Sequence, residues 1–175
     1  MTFKELVLKR RSIRVYEETD IPDTELKELI ETALMAPSWR NLETGRYYLV
    51  KSKDMIDKIK ASLPEFNQVR CKNAMLIVTA FEKNLSGYDK GKPCTECGNE
   101  WGAYDLGLQN AYLMLKAKDM GYDTLAMGLR DGDLIRRELD IPENYEIMPV
   151  LALGKGNQEP VNKERKKFEE VAKII

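Results

Sequence analysis

The sequence contains no histidine. That absence removes Ser-His-Asp and Cys-His catalysis, most catalytic zinc sites and the common general base near neutral pH. An enzyme built from this chain is expected to take its chemistry from a bound cofactor, or from carboxylates and lysines. Cysteine is scarce, with three in the chain. An odd count without a secretion pattern argues for free thiols in a reducing compartment, so a cytoplasmic protein is expected. No uncharged apolar run approaches ~18 residues, and no membrane-spanning helix is expected. The start, Met1 to Arg11, carries Lys4, Glu5, Lys9, Arg10 and Arg11 and has no apolar signal region. An excess of one charge is missing too. With 28 basic and 29 acidic residues the formal net charge is -1, so nothing global draws the chain to nucleic acid or to a membrane surface.

What is present reads as an ordinary folded chain. Apolar residues make up 43% of 175 residues, enough for one domain, residues 1–175, with a real core. Thr2-Phe3-Lys4-Glu5 has the form of a capping box, with a helix to about Arg10. Ser12 to Tyr16 alternates and looks extended. Pro22-Asp23 opens a helix carried by Leu26, Leu29, Ile30, Ala33 and Leu34, and Pro37 stops it. Tyr47 to Val50 reads as a strand, and Met55, Ile56, Ile59 and Leu63 suggest a short helix ending at Pro64. Met75 to Phe81 is apolar without alternation, the pattern of a strand buried on both faces.

A polar loop with Gly87, Gly91, Cys94, Cys97 and Gly98 follows, then a long helix from about Glu100 to Met120. Between Leu106 and Leu115 only Gln109 and Asn110 are clearly polar, which places that helix in a core or a subunit interface. Gly121 caps it. Thr124 to Gly128 is a strand, Asp131 starts a short helix to Leu139, and Ile147 to Gly154 is a further strand in which Pro149 suggests an edge or a bulge. The charged tail ends in a helical stretch from about Lys166. Interspersed strands and helices predict an α+β or α/β layered domain.

Six short segments could carry chemistry, and each also has a plain reading. Arg10-Arg11-Ser12-Ile13-Arg14 puts three guanidiniums and a hydroxyl within five residues, suited to a phosphorylated ligand or equally to a solvated helix end. In Ala36-Pro37-Ser38-Trp39-Arg40-Asn41, the Asn amide offers a donor and an acceptor, or the segment is a turn with Trp39 in the core. Asn67 and Arg70 precede the strand at Met75, as a cationic contact or as two loop polars. Met127-Gly128-Leu129-Arg130 allows close backbone approach to a flat ligand, or is a strand-to-helix turn. Lys163-Glu164-Arg165-Lys166-Lys167 is a second basic clamp or a charged tail. Cys94-Thr95-Glu96-Cys97 is a CxxC: one chain cannot extend it to a four-thiolate metal site, although two chains could pool two each, and a redox pair would want its first thiol at a helix N-terminus, whereas the helix here begins a few residues later; free surface thiols are the plain reading.

The order and spacing of these segments resemble the nitroreductase family, small FMN enzymes that form intertwined homodimers. The likeness runs from Arg10-Arg11-Ser12-Ile13-Arg14 through Ala36-Pro37-Ser38 with Asn41, the strand at Leu76 to Ala80, Asp105 and Met120-Gly121-Tyr122 to Met127-Gly128. It continues through Leu139-Asp140-Ile141-Pro142-Glu143 to Lys163-x-Arg165.

The resemblance implies an α+β layered fold with a mostly antiparallel central sheet flanked by helices. It implies FMN held by Arg10, Arg11, Ser12, Arg14, Lys163 and Arg165, with Asn67 and Arg70 at the pyrimidine and N1–O2 edge. Backbone at Met127, Gly128 and Leu129 would lie near N5, and Pro37, Ser38 and Asn41 would come from the partner subunit. NADH or NADPH would reduce the flavin, and a small acceptor such as a nitroaromatic or a quinone would reoxidise it by a ping-pong route. No protein acid or base and no metal is implied. One departure stands out: where the family often carries Gln-Pro-Trp after the Asn, this chain has Glu43-Thr44-Gly45. That leaves room for reductive dehalogenation, flavin conversion or a non-enzymatic flavin-binding redox sensor on the same scaffold.

Overall fold

The computed structural model describes residues 1–160 and 163–175. Its first helix, α1 (Phe3–Lys9), is opened by the capping box: the Thr2 hydroxyl accepts from the Glu5 N–H and the Glu5 carboxylate from the Thr2 N–H, at 3.3 and 2.9 Å. Residues 10–17 then run extended along the sheet edge without becoming a full strand. Helix α2 (Asp23–Leu34) follows Pro22 and buries Leu26, Leu29 and Ala33. Strand β1 (Gly45–Val50), helices α3 (Lys53–Ala61) and α4 (Glu65–Arg70) and strand β2 (Met75–Glu82) come next. Two short strands, β3 (Tyr88–Asp89) and β4 (Lys92–Pro93), form a hairpin inside the expected polar loop. The chain continues through α5 (Glu100–Asp119), β5 (Asp123–Met127), α6 (Gly132–Glu138), β6 (Tyr145–Gly154) and α7 (Phe168–Val171).

Among the described residues the main sheet has the order β1-β2-β6-β5, with every neighbour antiparallel. The unbroken apolar run of β2 is explained by its inner position: Met75 to Phe81 are all buried. Alternation divides that strand between two cores. Leu76 and Val78 join Ile59, Leu63 and Ile135 beneath α3 and α6, while Met75 and Ile77 join Leu26, Leu29 and Leu113 beneath α2 and α5. The result is a three-layer α+β fold.

Two expectations need correction. Pro149 does not mark an edge, because β6 is paired on both sides, by β2 and by β5. The bulge alternative holds: pairing steps from Val78↔Val150 to Ala80↔Ile147, two β6 residues opposing one on β2. β5 ends opposite Val150, so the N–H that Pro149 lacks has no strand to serve, and the Thr79 hydroxyl donates to the Pro149 carbonyl at 2.8 Å. The second concerns Asn67 and Arg70, read as loop residues, which sit on α4. That helix has six residues, with Phe66 and Val69 exposed and Asn67 buried. Its apolar residues face outward, so no inward hydrophobic stripe could announce it.

Candidate functional site

The basic segment after α1 is held by two buried anchors three residues apart. Ile13 and Tyr16 sit in the core, while Ser12 and Val15 are exposed and Arg14 is partly exposed. Ser12 bridges Thr124 of β5, and the Ile13 N–H donates to the Thr124 carbonyl at 3.1 Å. On the other side lies the chain leaving β6. Asn157 donates to the Val15 carbonyl at 2.9 Å, and the Arg14 N–H donates to Gln158 Oε1 at 2.7 Å. This pairing turns the C-terminal segment back toward the start of the chain. Arg165 lies close enough to repel Arg10, whose guanidinium is held below its ordinary value by burial first, then by Arg165 and Arg11. Among the described residues, Arg10, Arg14, Lys163 and Arg165 form no salt bridge with a carboxylate. A recess of about 400 Å³ beside them is lined by Arg11, Ile13, Lys118, Asp123 and Gln158.

The same sheet edge continues to the end of β5. Met127 is buried, whereas Gly128 and Leu129 are exposed. Arg130 fixes this turn by donating to the carbonyls of Gly128, at 3.0 Å, and of Ile147. The Asp131 N–H donates to the Ser62 carbonyl at 2.7 Å, tying the turn to the end of α3 and so to the start of α4. There Asn67 is 6% exposed and its side-chain amide makes no hydrogen bond. Arg70 lies over the Phe66 ring at 5.0 Å.

Pro37, Ser38 and Asn41 occupy a different place. Their turn is a 3-10 segment, Trp39–Asn41, with left-handed backbone at three residues that are not glycine: Arg40 (φ 49), Asn41 (φ 55) and Glu43 (φ 49). Such backbone persists where side chains over-determine it, and it clusters at functional sites. Here the Ser38 hydroxyl accepts from the Glu43 N–H at 3.1 Å, and the Asn41 amide donates to Glu43 Oε1 at 3.0 Å. The buried Asp105 carboxylate, on α5, accepts from the Trp39 N–H at 2.9 Å and from the Ser86 hydroxyl at 2.6 Å. Glu43 therefore serves the turn's own geometry. Asp105 and Ser86 were not singled out as site residues, because their partners are distant in sequence.

The two groups do not meet within one chain. The turn is anchored at Asp105, near the start of α5, while the basic segment lies beside Lys118 near its end. Thirteen helical residues separate these anchors by about 20 Å at 1.5 Å per residue. The α5 face between them is apolar and poorly covered: Tyr104 is 58% and Tyr112 41% exposed, and Gly107 has open space around it.

A groove with Lys9, Arg11 and Lys118 set against Asp123 and Glu159 in its wall runs along the edge of an antiparallel sheet in an α+β fold. A sequence profile described as the Nitroreductase family matches residues 7–89 and 94–155, and the chain belongs to that family. A Thermus thermophilus protein named NADH dehydrogenase is 26% identical over 176 residues, covering 86% of this chain and 85% of that one. A solved nitroreductase-like protein from Streptococcus mutans is 26% identical with a TM-score of 0.86, covering 99% of this chain and 97% of that one. A solved oxidoreductase containing FMN is 25% identical with a TM-score of 0.77, covering 90% and 79%.

Proposed function

We propose that the protein is an FMN-dependent oxidoreductase that takes electrons from NADH or NADPH and passes them to a small acceptor, with each flavin site shared between two copies of the chain. The observation that carries this reading is the meeting of Arg10 and Arg165 from opposite ends of the sequence, mutually repelling and without a carboxylate partner. A phosphate dianion relieves that repulsion through charge-assisted, forked hydrogen bonds. The family relationship and the relative that contains FMN support FMN as the owner of that phosphate.

In this reading Arg10, Arg11, Ser12 and Arg14, with Lys163 and Arg165, hold the phosphate and ribityl end. The Asn67 amide, which offers both a donor and an acceptor, meets the alternating donors and acceptors of the pyrimidine edge. Arg70 supplies positive charge at the N1–O2 edge, where reduction places negative charge. Backbone at Met127, Gly128 and Leu129 lies along the N5 side. Pro37, Ser38 and Asn41 come from the second copy, because their own chain holds them about 20 Å from its own basic segment. When bound, FMN would supply the redox chemistry between NAD(P)H and the acceptor, for which a ping-pong order is proposed, and the chain's own residues would bind it, orient it and stabilise its charge. Nitroaromatics and quinones are the acceptors proposed first, and a cytoplasmic setting suits the free thiols.

The test is an absorbance spectrum of the purified protein. Flavin bands that bleach on adding NADH or NADPH under nitrogen are expected. Colourless protein that ignores added FMN ends this reading.

A further inference from the structure

The Cys94-Thr95-Glu96-Cys97 loop has no part in the flavin groove, yet its structure is specific. The chain bends at Cys94 and Thr95 and turns through residues 96–99 before α5 begins. Gly98 reverses the backbone at φ 50 and donates its N–H to the Thr95 carbonyl at 3.4 Å. The Thr95 hydroxyl accepts from the Cys97 N–H at 3.4 Å and from the Trp101 indole N–H at 2.7 Å. The two thiols thus lie three residues apart on a bent segment whose backbone is pinned through Thr95. Both are free: Cys94 is exposed and Cys97 half-exposed. Cys71, by contrast, is buried, and burial pushes its thiol up from its ordinary value.

The loop is also tied to the turn assigned above to the other copy's flavin. The Cys94 N–H donates to the Gly87 carbonyl at 2.7 Å, next to the β3–β4 hairpin. On that hairpin Asp89 grips Arg40 at 2.9 Å, and Arg40 lies within electrostatic reach of Cys94 as well. Trp101 packs on Trp39 with ring centroids 5.0 Å apart. The CxxC loop and the 38–41 turn therefore form one body, cross-linked by an ion pair and a ring contact. The family profile leaves residues 90–93, the lead into this loop, unmatched.

We propose that Cys94 and Cys97 are a redox pair that draws electrons from the reduced flavin, which makes a disulfide the class of acceptor; the proposal rests on the flavin reading above. In the oxidised protein the two sulfurs share a disulfide. Two electrons from the flavin, reduced beforehand by NAD(P)H, and two protons break that S–S bond and leave two thiols, and the flavin returns to its oxidised form. A disulfide on a second molecule then exchanges with the pair: its own S–S bond breaks to two thiols, and the Cys94–Cys97 bond re-forms. An exposed CxxC suits a catalytic and transient disulfide in a reducing compartment.

The experiment uses the full FMN-loaded chain, oxidised with diamide and freed of excess reagent. It is titrated with NADH under nitrogen while flavin absorbance is followed and alkylated thiols are counted by mass spectrometry. Two new thiols per chain, mapped to Cys94 and Cys97, are expected, and bleaching should finish after about two equivalents of NADH per flavin. Cys97→Ser should need about one equivalent, since no disulfide can form within the loop. Turnover with cystine against oxidised insulin separates a small from a protein disulfide, and reduction of neither overturns the acceptor class. Bleaching after one equivalent with the Cys94–Cys97 bridge intact overturns this proposal and leaves the oxidoreductase reading standing. A flavin that never bleaches overturns both.

Discussion

Arg10 is a side chain whose charge the folded chain does not favour. It is partly buried beside two other guanidiniums, and both burial and repulsion disfavour its charge. Replacing it relieves that repulsion and, in the proposed site, removes a phosphate contact together. Arg10→Ala is therefore expected to weaken FMN binding by about 1.5–3 kcal/mol, the range for hydrogen bonds to charged groups, with little loss of stability in the flavin-free protein. Fluorescence titration with FMN and urea denaturation of the flavin-free form measure the two halves; unchanged FMN affinity removes Arg10 from the site. Asp105 predicts the opposite pattern. Asp105→Ala leaves the Trp39 N–H and the Ser86 hydroxyl without their acceptor, expected to cost about 1–3 kcal/mol in urea and to lower flavin turnover as the turn loosens. The arginine clusters were legible in sequence because charge and spacing sit within a few letters. The role of Asp105 was not, because its bond to Trp39 spans 66 residues and leaves no local pattern.

At the scale of elements, the long helices and inner strands were readable because burial writes itself into apolar periodicity. β2 was expected as a doubly buried strand and is one. α4 was missed because it is short and buries its amide rather than its rings. Asn67 was nonetheless singled out with Arg70, from its place just ahead of the strand at Met75 rather than from any helical pattern. The packing of α5 on the sheet depends on a residue that sequence reading passed over. A Cβ built on Gly102 falls 2.3 Å from Cδ2 of the buried Phe81 ring. Gly102→Ala would raise helix propensity but overpack the α5–β2 contact, and overpacking a core costs typically about 1–3 kcal/mol. A lowered urea midpoint is expected, and a midpoint equal to or above the parent's means that the ring moves aside freely. Gly107, with open space around it, is the control: Gly107→Ala should not lower stability in the isolated chain, and any loss of dimer locates it in the interface.

At the scale of the whole molecule, the distance along α5 decides how many chains make one site. The helix holds the 38–41 turn near one end and the basic groove near the other, about 20 Å apart at 1.5 Å per residue. The proposed two-fold dimer, packed along the exposed Tyr104–Tyr112 face, would bring each turn to the other chain's groove. Complementation between two defective variants tests this directly. Arg10→Ala/Arg14→Ala damages the groove, and Ser38→Ala/Asn41→Ala damages the turn, so each homodimer carries two impaired sites. In a mixed dimer one site collects both defects and the other none. Random pairing of equal amounts yields half mixed dimers, so co-expression should restore about a quarter of the parent's tight flavin sites. If groove and turn served the same chain's flavin, every site in every dimer would keep one defect, and co-expression would restore none.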